Sequence, residues 1–170
     1  MKERKLGLAP LVGDNPRVLV LGSLPGDESI RRQEYYGHPK NLFWRVLAAV
    51  FDDSVPYSYS DKKAFLAKHH VALWDVLSSA DRKGSLDSKI QGEERNDIAG
   101  FLAEHSSIKC IVLNGGKAAR EFKKIQKVSP WVFRDIAICE FTSTSPLSVS
   151  AGWPFERIVA QWKQILVEYD

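Results

Sequence analysis

The stretch RVLVLGSLPGDESIRRQEYYGHPKNLFW, residues 17–44, decides the fold of this chain. Its first part, residues 17–22, is a short apolar run between Pro16 and a turn, which predicts a buried strand. The loop that follows holds a Gly-x-x-Pro-Gly turn, two tyrosines and a His-Pro-Lys-Asn cluster, and it ends at an apolar helix start, Phe43. Open α/β sheets place their ligand sites in loops after the carboxyl ends of strands. We therefore expect this loop to line a functional site.

Strand-like and helix-like patterns alternate through the rest of the chain. Short apolar runs predict further strands at 71–76, 109–113 and 136–141. Helical spacing predicts helices at 41–51, 61–69 with Ser60 as its N-cap, 93–104, 116–127 and 155–169, and the polar segment 78–91 is interpreted as a loop. This alternation predicts the α/β class: a three-layer α/β/α sandwich around a mostly parallel sheet, for which we expect four strands.

The composition is that of a soluble globular protein, with 44% apolar and 26% charged residues in a chain of 170. This length suits one domain, residues 1–170. No run approaches the roughly 20 apolar residues that a membrane span needs, and the basic N-terminus lacks the apolar core of a signal peptide. We therefore expect a cytoplasmic protein with no membrane partner.

Charge and cysteine content restrict the partners further. The net charge of +3 is compatible with a polyanionic partner, although many ordinary enzymes share it. Cys110 and Cys139 lie in apolar runs and are expected to be small buried residues, and two cysteines exclude a four-cysteine iron–sulfur cluster within this chain. No cluster of His, Cys and Glu has metal-ligand spacing, so we predict neither a metal nor a cofactor.

Two loops carry motifs of a known family. The first contains Gly22-Ser23-Leu24-Pro25-Gly26, then Tyr36, then His38-Pro39-Lys40-Asn41-Leu42-Phe43-Trp44. It resembles motif 1 of the uracil-DNA glycosylase superfamily, above all its mismatch-specific uracil/thymine branch. The last loop, residues 143–148, reads STSPLS and resembles motif 2. With Leu-Trp-Asp-Val at 73–76, the set is closer still to the hypoxanthine-DNA glycosylase branch.

The resemblance implies a monofunctional DNA glycosylase that flips a deaminated base, hypoxanthine first, out of double-stranded DNA and hydrolyses its N-glycosidic bond in base excision repair. We expect the protein to be a monomer. A mismatch-specific uracil or thymine glycosylase is the alternative enzyme. A non-catalytic nucleic-acid or damage binder that kept the fold is the alternative of another class, and an α/β protein that binds some other nucleotide is the plainest interpretation.

Two positions depart from the superfamily pattern. Leu24 stands where motif 1 usually has Asp or Asn, and Ser143 stands where motif 2 usually opens with His or Asn. The hypoxanthine branch is expected to lack the first group too. The departures therefore weaken a uracil assignment more than a hypoxanthine assignment.

Two residues are our catalytic candidates. With Leu24 apolar, Asn41 is the best substitute for orienting water, since a cationic sugar needs only a weak nucleophile; the alternative is that Asn41 caps the following helix. Ser23 is the second candidate, because backbone N–H groups beside it can face the carbonyl group of the base. Close approach of the backbone to the base there is also why Gly22 and Leu24 count as base-binding candidates.

The remaining base-binding candidates offer stacking or hydrogen bonds. Tyr36 is the candidate platform for an extruded base, which gains about 1–3 kcal/mol by stacking, or it packs ordinarily. Asp75 is the specificity candidate: its carboxylate accepts from N1–H of hypoxanthine or, when protonated, donates to the base, whereas the alternative is a loop cap. His38 contacts base or phosphate, or makes a local hydrogen bond. Ser143 occupies the base-contacting position of motif 2.

DNA contacts are predicted for the hydroxyl-rich last loop and for one lysine. Hydroxyl and N–H groups of Ser145 and Ser148 suit phosphates beside a flipped nucleotide, and Leu147, next to Pro146, suits the hole left in the base stack; the alternative is a surface turn. Lys117 follows a Gly-Gly turn that binds a phosphate or is merely structural. Arg82 is one of several basic residues that add salt-dependent affinity or are simply solvated.

Overall fold

The computed structural model of the protein describes residues 4–146 and 152–167. Its strands are β1 (Arg4–Leu6), β2 (Val18–Gly22), β3 (Val71–Asp75), β4 (Leu77–Asp81), β5 (Gln91–Arg95), β6 (Cys110–Asn114) and β7 (Ala137–Phe141). Its helices are α1 (Asp27–Arg32), α2 (Phe43–Val50), α3 (Tyr59–Lys68), α4 (Ile98–Glu104), α5 (Gly116–Val128), α6 (Phe155–Trp162) and α7 (Gln164–Val167). Short 3-10 turns span Asp87–Lys89 and Pro130–Phe133.

The central sheet has four parallel strands in the order β3-β2-β6-β7, as the alternation predicted. Gly22 at the end of β2 pairs with Asp75 at the end of β3. Asn114 at the end of β6 pairs with Phe141 at the end of β7. The carboxyl ends of all four strands therefore meet at one edge, and that edge positions the site.

Helices cover both faces of this sheet. Alternate side chains of β2 point to opposite faces, as the period of two in a strand requires. Val18 and Val20 pack in one core with residues of α2, α3 and α6, whereas Leu19 and Leu21 pack in a second core with residues of α4 and α5. The three-layer α/β/α arrangement is therefore confirmed. Within the described residues, no helix is long and apolar enough to cross a bilayer.

The loop prediction for residues 78–91 is wrong in part, because β4 pairs with β1 on one side and with β5 on the other in a second, antiparallel sheet of order β1-β4-β5. β1 pairs with β4 across more than seventy residues of chain, Arg4 opposite Asp81. Polar strands of this kind have no continuous apolar run, so local pattern did not reveal them. The helix predicted at 93–104 consequently begins only at Ile98, with Asp97 as its side-chain cap.

Several elements differ from expectation beyond shifts of one or two residues. Ser58, not Ser60, caps α3, in a capping box with Asp61. Helix α1 lies inside the first long loop, where no helix was predicted. The last predicted helix, 155–169, is interrupted at Lys163 between α6 and α7, and its residues 168 and 169 lie outside the described residues.

Candidate active site

A cavity of about 450 Å³ opens at the carboxyl edge of the central sheet. It gathers ten of the residues predicted from sequence: Gly22, Ser23, Leu24, Tyr36, His38, Asn41, Asp75, Ser143, Ser145 and Pro146. They come from the ends of β2 and β3 and from the two motif loops. Leu147 and Ser148 lie outside the described residues.

The ring of Tyr36 forms part of the cavity wall. It stacks on Phe43, with the ring centroids 4.0 Å apart and the planes inclined by 25°. Phe43 is fully buried at the start of α2, so one face of Tyr36 is already covered and a flat ligand must use the other. Burial, with a smaller contribution from Asp75, raises the pKa of the Tyr36 phenol, which therefore stays neutral. Its neighbour Tyr35 packs in the core and donates to the carbonyl oxygen of Ala9.

Asp75 forms the buried end of the cavity. Its side chain is nearly inaccessible, and Oδ2 has no hydrogen-bond partner among the described residues. Burial, with a smaller contribution from the carboxylate of Asp87, raises the pKa of Asp75 to about 7 against the opposing effect of Arg82. Near neutral pH the group therefore exists in both protonation states, so it can accept a hydrogen bond or donate one.

Asn41 and His38 both make local hydrogen bonds within the first motif loop. Oδ1 of Asn41 accepts from the backbone N–H of Phe43, the first residue of α2, at 2.9 Å, whereas the N-cap position of α2 is Leu42, which makes no side-chain capping bond. The backbone N–H of Lys40 donates to Nδ1 of His38 at 3.1 Å. Asn41 also lines the cavity, so its amide group combines this local hydrogen bond with access to a ligand.

Ser23 contacts Asp87, and Arg82 lies beneath the same turn; the sequence did not reveal the position of either residue in the site. The Ser23 hydroxyl donates to Oδ1 of Asp87 at 2.7 Å, and Asp87 lies in a turn between β4 and β5 that lines the cavity. Arg82 is buried beneath this turn and donates to the carbonyl oxygens of Leu24, Pro25 and Gly84. Arg82 is therefore neither a solvated residue nor a surface phosphate contact, because its guanidinium group is used inside the protein.

Hydrogen bonds connect the second motif loop to Asn114 at the end of β6. Asn114 Oδ1 accepts from the backbone N–H of Thr144, and Asn114 Nδ2 donates to Thr144 Oγ1, both at 3.1 Å. Ser143 Oγ accepts from the N–H of Ser145 at 3.1 Å. These contacts hold Ser143 and Ser145 at the cavity wall.

Lys117 is not brought together with the other predicted residues. Its ammonium group bonds Glu93 at 3.0 Å and Glu121 at 3.1 Å, and it does not line the cavity. The pair with Glu93 links β5 to α5, whereas the pair with Glu121 joins two neighbouring turns of α5. Across the described residues, no group of three or more His, Cys, Asp and Glu side chains is arranged to hold a metal ion.

Known proteins resemble large parts of this chain in sequence and in structure. A hypoxanthine DNA glycosylase of Methanosarcina barkeri is 38% identical over 116 residues, 68% of this chain and 73% of that protein. A protein of the same name from Methanosarcina acetivorans is 42% identical over 115 residues, 67% of this chain and 73% of that protein. A solution NMR structure from Methanosarcina acetivorans, of a protein provisionally named a uracil DNA glycosylase, superposes with a TM-score of 0.81 at 32% identity and covers 96% of both chains.

The family itself is matched over most of the chain. The sequence model of the family described as "Uracil DNA glycosylase superfamily" matches residues 9–163. This range includes the four strands of the central sheet, both motif loops and every residue of the cavity wall. The chain belongs to the uracil DNA glycosylase superfamily.

Proposed function

We propose that this protein is a monofunctional DNA glycosylase that removes hypoxanthine from double-stranded DNA. The observation that carries the proposal is the buried carboxyl group of Asp75 at the inner end of a cavity beside the ring of Tyr36, with Oδ2 unpartnered among the residues that the structure describes. The names of the two Methanosarcina relatives support the same substrate.

Hypoxanthine presents groups that match this cavity end. Its N1–H is a donor, whereas O6 and the ring nitrogens N3 and N7 are acceptors. Ionised Asp75 accepts from N1–H, and protonated Asp75 donates to O6 or to a ring nitrogen and stabilises the leaving base. Because the pKa of Asp75 is about 7, both states are available at neutral pH.

The Tyr36 ring supplies the stacking surface for the flipped base, a contribution of about 1–3 kcal/mol. Its backing by Phe43 fixes the plane of that surface before DNA arrives. Asn41 orients the attacking water through its amide nitrogen while Oδ1 accepts from the backbone N–H of Phe43. Backbone groups beside Gly22 and Ser23 approach the base, because Gly22 has no side chain in the way.

The test is base release from three duplexes that contain deoxyinosine, deoxyuridine or a G:T mismatch. Abasic sites are cleaved with alkali and strand breaks are scored. We expect breaks with deoxyinosine, and none without alkali, since a monofunctional enzyme does not cut the backbone. The matched variant Asp75→Ala is expected to alter the preference among the three duplexes.

Each other result selects a different function. Breaks only with deoxyuridine or the mismatch would assign the chain to the uracil/thymine activity. Tight binding without breaks on any duplex would identify a non-catalytic damage binder. Breaks without alkali would overturn the monofunctional assignment.

A further inference from the structure

Besides Asp75, three carboxylates line the cavity: Asp27 and Glu28, which form ion pairs with Lys5 and with Arg31 and Arg32, and Asp87, which comes from a part of the fold outside the motif loops. Asp87 lies in the 3-10 turn Asp87–Lys89, between the two antiparallel strands β4 and β5. The same small sheet receives Leu24, which packs with Leu77, Ala80 and Ile90. Leu24 of the first motif loop therefore packs on the small sheet, and the turn between two strands of that sheet places the carboxylate of Asp87 in the cavity.

Two neighbours hold the Asp87 side chain in place. Oδ1 accepts from the hydroxyl of Ser23 at 2.7 Å and lies 3.9 Å from the guanidinium group of Arg82. Arg82 is fixed in turn by the carbonyl oxygens of the first motif loop. Among the described residues, no hydrogen bond engages Oδ2 of Asp87. One carboxylate oxygen is thus anchored, and the other is left for water or a ligand.

The two carboxyl groups occupy different depths. The Asp75 residue is 4% exposed, whereas the Asp87 side chain is 47% exposed, so Asp75 lies at the inner end and Asp87 at the mouth. A base inserted to the inner end leaves its sugar and phosphates at the mouth. A carboxylate at the mouth of the cavity repels the phosphates of DNA. Asp87 therefore does not contribute to DNA affinity, and we look for its role in the reaction.

We propose that Asp87 is a catalytic residue of the glycosylase reaction, the carboxylate that faces the sugar and receives the proton of the attacking water. This assignment rests on the proposed function. A fixed carboxylate beside the sugar stabilises the positive charge that develops on the sugar in the transition state. Ser23 acts as a positioning residue, because its hydroxyl orients the Asp87 carboxylate.

The step balances without any further reactant. The C1′–N9 bond breaks and its electron pair stays on the base, while a water oxygen forms a bond to C1′. The water loses one proton to Asp87, and the base gains one proton from neutral Asp75. Both groups return to their starting states by exchange with solvent once the products have left.

The experiment compares wild type with Asp87→Asn and Asp87→Glu. Asparagine keeps an oxygen to accept from Ser23 and removes only the charge. Single-turnover release of hypoxanthine is measured with enzyme in excess. Affinity is measured separately, on a duplex with a 2′-fluoro deoxyinosine that resists hydrolysis. Glu104→Gln, which removes a charge from the exposed end of α4, is the control for net charge.

We expect Asp87→Asn to lower the single-turnover rate by about 10²-fold, as for loss of a charge-stabilising or proton-accepting group. Affinity for the fluorinated duplex should stay equal or become tighter, because a repulsive charge is gone. Asp87→Glu should recover part of the rate, and Glu104→Gln should match wild type. Melting temperatures confirm that each variant is folded.

The outcomes separate the two proposals. If wild type releases hypoxanthine and folded Asp87→Asn does so at the same rate, the role of Asp87 is overturned and the proposed function stays intact. Equal losses of rate and affinity in Asp87→Asn, without recovery in Asp87→Glu, would reduce Asp87 to a structural residue. No base release by wild type on any duplex would overturn the proposed function, and this assignment with it.

Discussion

The side-chain nitrogen of Asn114 donates a hydrogen bond to the phenolic oxygen of Tyr36 across 3.3 Å. The same nitrogen donates to Thr144, and the same amide accepts from its backbone. One buried side chain at the end of β6 therefore connects both motif loops. The stacking surface and the second motif loop are held in a fixed relation before any ligand binds.

Asn114→Ala is expected to destabilise the fold and to slow base release. It removes three hydrogen bonds and leaves buried groups of Thr144 unpaired, a loss of about 1–3 kcal/mol for each unsatisfied group. Denaturant unfolding measures the free energy, and single-turnover base release measures the rate. Tyr36→Phe is the matched control: it breaks only the bond to Asn114 and keeps the stack on Phe43, so a loss of stability equal to that of Asn114→Ala would contradict the connecting role.

Two substitutions of Asn41 are expected to distinguish its contribution to base release from its contribution to stability. Asn41→Ala should lose base release while DNA binding is retained, and it should cost about 1 kcal/mol of stability because the hydrogen bond from Phe43 N–H is lost. Asn41→Asp keeps the oxygen that accepts this hydrogen bond and lacks the amide nitrogen. Stability near that of wild type with slow base release in Asn41→Asp would identify the amide as the active part. Wild-type turnover in Asn41→Ala would remove Asn41 from the mechanism.

Asp75 is expected to make stability fall as pH rises. Its pKa is raised from 3.8 in the unfolded chain to about 7 in the folded protein. Between these values the folded state binds more protons than the unfolded state, so the stabilising contribution is complete below pH 4 and is lost as pH rises through 7. Melting temperatures of wild type and Asp75→Asn at pH 5 and pH 8 check this. A parallel pH response of the two proteins would show that Asp75 does not titrate in this range.

Gly22→Ala is expected to block the inner end of the cavity. A methyl group at this position lies 2.5 Å from Oδ1 of Asp75 and 3.3 Å from the phenolic oxygen of Tyr36. Gly22 is buried in β2 between two neighbouring strands, so its backbone cannot move away. Affinity for the fluorinated deoxyinosine duplex should fall, whereas Gly116→Ala, which meets only the flexible end of Arg120, should not change it. Unchanged affinity in Gly22→Ala would place the base elsewhere.

The sequence predicted the central sheet well, because β2, β3 and β6 are almost entirely buried. Each of these three strands reads as a short apolar run, a signal that needs no knowledge of its neighbours. The edge strand β7 is only partly buried and carries the exposed Glu140, yet its other residues are apolar. Chain order along an α/β fold then predicts that the loops after these strands share an edge. Gly22, Asp75 and Ser143 could be predicted to meet for that reason, as could Tyr36 and Asn41. The single domain, the monomeric state and the cytoplasmic location stay predictions.

The antiparallel sheet was decided only by tertiary structure. β4 and β5 carry few apolar residues, and their backbone groups are satisfied by each other and by β1, which lies far away in sequence. Nothing local to 78–91 indicates that partner. Asp87, which this sheet delivers to the cavity, was therefore missed, and Arg82 was interpreted as a surface residue.

By itself the sequence determined the layers of the fold, the edge that holds the site and the residue types gathered there. Tertiary structure alone decided what each polar side chain does. Asp75 is a proton-holding group because burial removes its water, and Lys117 is a structural link because two carboxylates lie within 3.1 Å of it. Burial of apolar residues can be predicted from local composition. The role of a charged group cannot, because it depends on which groups from distant segments lie beside it.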